Sequence, residues 1–228
     1  MNKTGTAGLN AAVAAILSAV LLCPFLVESA DLKQKESTAQ DLMLMSPYKW
    51  AGLTQREQDL FTLGVLEDWG FILYSYQAPG LQDFVACANN EKPKKFNSLM
   101  WQFGNIKESA AREISKMTPI VCSSYQGKGG SLRKPLQLLT KKDWTSFNLK
   151  EKSLYLMGYL EIGYLINKDI DPEIPRSLEN CVSGEGIEGI LSQVVRDETN
   201  FEWQYPIPWS ISSSLGKVCQ KHIKNSQS

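Results

Sequence analysis

The side chains best placed for acid–base chemistry are two glutamates, Glu67 and Glu161, at matched positions in the chain. Each follows a glycine by three residues, in Gly64-Val65-Leu66-Glu67 and Gly158-Tyr159-Leu160-Glu161. Each also falls on the apolar side of its segment. Burial raises the proton affinity of a carboxylate, and paired carboxylates are what glycoside hydrolysis uses. A buried carboxylate more commonly accepts hydrogen bonds from backbone or hydroxyl groups. The structural role is therefore the expectation for Glu67 and Glu161, and a cell-wall hydrolase is the alternative. No G-x-S-x-G occurs, and His222, the single histidine, lies beyond the last cysteine. That pattern argues against a nucleophilic triad or a thiol protease. Phosphate-loop and dinucleotide fingerprints are missing as well. The expectation is a non-enzymatic protein with no cofactor.

The cysteines point to oxidation rather than metal. Beyond Cys23 in the first segment, four remain: Cys87, Cys122, Cys181 and Cys219. No CxxC spacing is present, so no metal site is expected. Three pairings are conceivable. The separations of 35 and 38 positions favour Cys87–Cys122 and Cys181–Cys219, one bond for each half of a repeat. Bonds of this kind persist in oxidising compartments.

The aromatic run Phe201, Trp203, Tyr205 and Trp209 is the candidate recognition feature. Trp and Tyr are favoured at contact surfaces. Trp203 and Tyr205 are the candidate contact residues. Trp209, whose segment continues into Ile211 and Leu215, is expected in the core, and Trp69, Phe71, Tyr74 and Tyr76 are expected to serve packing.

The elements that position these residues recur. Moving residues 41–87 along by 94 positions lays them without a gap on residues 135–181, and ten residues coincide. Leu44 falls on Leu138, Trp50 on Trp144, Glu57 on Glu151, Gly64 on Gly158, Glu67 on Glu161 and Cys87 on Cys181. A shared period of this kind implies one structural unit used twice. Thr54 with Glu57, and Asn148 with Glu151, have capping-box spacing ahead of apolar residues spaced three and four apart. An irregular, proline-containing stretch and a cysteine should follow each helix. Helical periodicity then resumes over residues 93–106 and 186–195, and a last helix carries the partner cysteine. Pro206 should open that helix in the second half. Gly64 and Gly158, costly in mid-helix, imply close approach of another segment. No alternating strand pattern is present. The expected fold is all-α: two tandem, disulfide-linked helical units related by internal duplication.

The expected boundaries are a signal peptide at 1–30, a first unit at 31–122, a linker at 123–142 and a second unit at 143–228. Lys3 precedes an uncharged apolar run from Ala11 to Val27, with permissive cleavage residues at Val27-Glu28-Ser29-Ala30. This is the pattern of an export signal. A retained membrane anchor is the alternative reading of the same run. The linker carries Gly127, Gly129 and Gly130 with Lys128, Arg133, Lys134, Lys141 and Lys142, and reads as flexible and solvated. The chain has 24 basic and 24 acidic residues, and loss of residues 1–30 removes one of each. Such a balance gives no general attraction to nucleic acid or to a membrane surface.

One stretch of the second half, Met157-Gly158-Tyr159-Leu160-Glu161, is followed by Cys181, Gly186-Ile187, Leu191, Val194-Val195, Pro206-Ile207-Pro208 and Cys219. This series resembles the Rap/Tai family of periplasmic immunity proteins. The resemblance implies a small, exported, disulfide-linked helical protein that neutralises peptidoglycan amidases delivered by type VI secretion. Two units are fused here where that family usually has one, and the first lacks the Gly-Ile and Pro-Ile-Pro stretches. The functional expectation is a periplasmic or secreted binding or inhibitor protein, an immunity protein against a cell-wall amidase being its specific form. A periplasmic stress or chaperone-like protein is the alternative from another class.

Overall fold

The computed structural model describes residues 44–102, 108–130, 134–170 and 173–224. The expected export segment lies outside the described residues, as do residues 103–107 and 131–133. Among the described residues all regular structure is helical. The helices are α1 (Pro47–Ala51), α2 (Gln55–Ser75), α3 (Leu81–Gln102), α4 (Ala110–Val121), α5 (Lys141–Ser146), α6 (Leu149–Ile170), α7 (Glu173–Asp197) and α8 (Ile207–Lys224), with short 3-10 turns at Ser123–Tyr125 and Glu198–Asn200. No described helix is long and apolar enough to cross a membrane.

Local chemistry sets the helix starts. The side chain of Thr54 accepts from the Glu57 amide, and Glu57 accepts from the Thr54 amide at 2.8 Å. Asn148 and Glu151 repeat the arrangement at 3.0 Å in both directions. Pro206 immediately precedes α8, and Pro208 sits in its first turn, where a missing N–H costs nothing.

Among the described helices, α2 and α6 make the most extensive contact. They cross at the paired glycines. A Cβ added at Gly64 would stand 2.1 Å from the Tyr155 carbonyl oxygen, and one added at Gly158 would stand 2.1 Å from that of Phe61. Phe61 and Tyr155 are themselves equivalent under the 94-residue shift, so the crossing is reciprocal. Ion pairs at the helix starts follow the same rule: Arg56 with Glu151, and Lys150 with Glu57. An isologous interface between two subunits has this form; here one chain supplies both sides. One apolar core runs through both halves, from Trp50, Phe61 and Leu66 to Trp144, Tyr155 and Leu160.

Cys87 is bonded to Cys122 and Cys181 to Cys219. Each bond ties a long helix, α3 or α7, to the helix that follows it, Cys122 at the end of α4 and Cys219 within α8. The expected irregular stretch with Pro79-Gly80 lies between α2 and α3, and Cys87 follows it within α3. In the second half residues 171–172 lie outside the described residues, and the expected irregular stretch is helical from Glu173 on. Proline is tolerated in a first turn, so α7 begins at Glu173 with Pro175 close behind, and α3 begins at Leu81. The break comes later, at Lys92 (φ 58°, ψ 163°) and Gly186 (φ 67°, ψ 165°). These two residues are also 94 positions apart. Helical periodicity does resume there, as the spacing implied.

The described part of the expected linker keeps its basic residues Lys128, Lys134, Lys141 and Lys142 exposed, as a solvated connector requires, but it is also anchored to the fold. Asp83 accepts from the Gly127 and Gly129 amides at 2.9 and 2.6 Å. Leu136 and Leu139 are buried. Glycine count and basic charge pointed to solvation, which the lysines show, and the two leucines ahead of Lys141 add an attachment to the core that those features do not signal.

Candidate functional site

Glu67 and Glu161 are both fully buried. Glu67 Oε1 accepts from the Leu138 and Leu139 amides at 2.5 and 2.9 Å, and its Oε2 accepts from the Tyr155 hydroxyl at 2.5 Å. Glu161 Oε2 accepts from the Met45 amide at 2.7 Å, and its Oε1 from the Ala111 amide at 3.0 Å. Met45 and Leu139 are equivalent positions. Each glutamate therefore leaves its own half to hold the entry strap of the other. Glu161 also meets the amino end of α4, whose cap residue Ser109 makes no side-chain capping bond. A carboxylate is well suited to that end of a helix. Burial raises Glu67 to about 7, against the Tyr155 hydroxyl and the amides of Leu139 and Leu138. It raises Glu161 to about 7 as well, opposed by Ser109 and the amides of Met45 and Ala111.

The aromatic residues divide differently from the sequence expectation. Trp203 is half-buried, tilted against Phe201 at 5.3 Å and lying beneath the Lys141 ammonium at 5.3 Å. Tyr205 is 41% exposed and meets Trp209 edge-on at 4.6 Å. Trp209 is 38% exposed rather than core. It sits on the outer side of α8, where Phe71 and Tyr74 from α2 contact it edge-on at 6.3 and 6.2 Å. These four rings form a ridge joining the two halves. Trp69 packs on Phe84 as expected, while Tyr76 is exposed.

Beside the ridge, and sharing Phe71 with it, is a half-open cleft of about 180 Å³ between α2, α6, α7 and α8. Its polar lining comes from Asp68, Tyr159, Asn167 and Ser212. Asp68 is buried, and that burial holds its carboxyl well above the usual carboxylate range, against an opposing pull from the Tyr159 hydroxyl. The sequence reading passed over Asp68. The available signal was the repeat itself, which places Asp68 opposite Ile162, an acid opposite an aliphatic residue. Among the described residues no cluster of His, Cys, Asp and Glu is arranged to hold a metal ion. Comparison with protein-family models, curated proteins and solved structures finds no match for this chain.

Proposed function

We propose that the chain is an exported, non-enzymatic helical binding or inhibitor protein, in its most specific form an immunity protein against a cell-wall amidase. The aromatic ridge of Phe71, Tyr74, Tyr205 and Trp209 carries this reading. Large, rigid, part-exposed rings on a disulfide-braced scaffold supply contact area at little cost in ordering. The two disulfides fit a periplasmic or extracellular setting. Glu67 and Glu161 are committed to donors within the fold, which supports a structural role for both.

The test adds the purified mature chain to peptidoglycan, alone and together with amidase effectors of type VI systems, and measures the muropeptides released. The reading expects no cleavage by the chain alone and suppression of one amidase. Cleavage by the chain alone that is lost in Glu67→Gln would make it a hydrolase. Prevention of aggregation of unrelated proteins in acid, without amidase suppression, would favour the chaperone-like alternative.

A further inference from the structure

The repeat provides an internal control for the cleft beside the ridge. Shifting its lining by 94 positions locates the equivalent place in the other half. Asp68 corresponds to Ile162, Gly163 to Trp69, Asn167 to Leu73 and Tyr159 to Val65. Every substituent there is apolar, with Ile162 and Val65 buried and Trp69 stacked on Phe84. One copy of the position is thus packed as core. The other has Gly163 in place of a tryptophan and three polar side chains in place of apolar ones, and it stands half open; its fourth polar residue, Ser212, corresponds to Ser115. A Cβ on Gly163 would lie 2.8 Å from Asp68 Oδ2, so the glycine is what leaves the carboxyl room.

Burying an acid is unfavourable unless something repays it. Here the acid faces an opening. We infer that this cleft receives a guanidinium or ammonium group on a hydrocarbon stem, the arginine or lysine side chain of a protein partner. The inference rests on the binding-protein reading above.

Three observations fit that occupant. The volume is below the range of about 300–1,000 Å³ typical of sites for whole small molecules, and suits one long side chain. The apolar lining from Phe71, Ile72 and Leu215 matches a methylene stem, while Asp68 supplies the opposite charge. Phe71, shared with the ridge, puts an aromatic ring in the lining, against which a planar guanidinium stacks favourably. On binding, the Asp68 carboxyl gives up its proton to solvent and pairs as a carboxylate with the incoming cation.

The experiment uses n-butylguanidinium as the probe and n-butylurea as its uncharged isostere, followed through the Trp209 indole resonance and by calorimetry. Millimolar binding of n-butylguanidinium is expected, with n-butylurea at least about tenfold weaker. Asp68→Asn and Gly163→Leu should each weaken the charged probe by about tenfold or more while amide resonances away from the cleft stay in place. Asp68→Asn is isosteric and decides the matter if Gly163→Leu does not fold. Equal affinity for the two probes, undiminished binding by Asp68→Asn, or no binding by the parent would overturn the proposal. Suppression of an amidase by a chain that does not bind the probe would remove the cleft but leave the binding reading intact. Probe binding without any protein partner would do the reverse.

Discussion

Gly64 lies so close to the carbonyl of Tyr155 that a methyl group in place of its hydrogen would stand 2.1 Å from that oxygen. Backbone opposes backbone at this point, so no side-chain rotation can relieve the clash. Gly64→Ala and Gly158→Ala should each destabilise the fold by about 3 kcal/mol or more, at the upper end of overpacking costs. Urea denaturation measures this directly. Melting within 1 kcal/mol of the parent, on the order of measurement error plus propensity gain, would show that the helices are not pressed together there.

The two buried glutamates should respond differently to amidation. At Glu67 both amides use Oε1, so a glutamine can keep its oxygen there and turn its Nε2 toward the Tyr155 hydroxyl. At Glu161 both oxygens accept from N–H groups, and a glutamine must set its NH2 against one of them. Glu161→Gln is expected to cost about 1–3 kcal/mol and Glu67→Gln under 1 kcal/mol near pH 5. Equal losses would mean that the hydrogen bonds are distributed otherwise.

Stability should peak near pH 5. Glu67 and Glu161 are raised to about 7 by burial, above the ordinary glutamate value of 4.5. The native state then holds more protons than the unfolded chain between these values. Stability is present in full below about 4.5 and falls as pH rises through 7, by on the order of 3 kcal/mol per group. On the acid side Glu57, Glu151, Asp143 and Asp197 are held low, chiefly by Lys150, Arg56, Thr140 and Lys217 respectively. Their contribution is lost as pH drops below about 4. Thermal melts from pH 3 to 8 should trace this dome, and Glu67→Gln should flatten its neutral side. A profile that keeps rising to pH 8 would contradict it.

Lys92 adopts the backbone conformation that its equivalent, Gly186, adopts with a glycine. A side chain in that region costs about 1–3 kcal/mol. Lys92→Gly should therefore stabilise the chain by about 1 kcal/mol, net of the entropy glycine loses on folding. A loss of stability in urea titration would indicate that the lysine is not strained.

Much of this fold is legible in the residues because the repeat reports long-range pairing. Identity at Gly64 and Gly158, or at Cys87 and Cys181, marks a shared environment, and the cysteine spacing selects the bonds. Which half each glutamate serves is not legible. Glu67 reaches Leu138 and Leu139, and nothing local to Glu67 encodes that crossing. The anchoring of the connector is not legible for a related reason: nothing near Gly127 and Gly129 in the chain signals that Asp83 accepts their amides. Trp209 was misplaced because periodicity assigns a face to a helix but does not say whether that face is covered. The cleft was hidden in the mismatches of the repeat, at Asp68 and Gly163, rather than in its identities.

The most direct test of the account is retention of a periplasmic protein by the immobilised parent, by Glu67→Gln and by Tyr205→Ala/Trp209→Ala. Loss of two central aromatic contacts removes on the order of 2 kcal/mol or more of binding energy. The parent and Glu67→Gln should retain the same partner, and the double alanine variant, still folded, should retain at least about tenfold less. Equal retention by the double alanine variant, or loss of the partner in a folded Glu67→Gln, would contradict it.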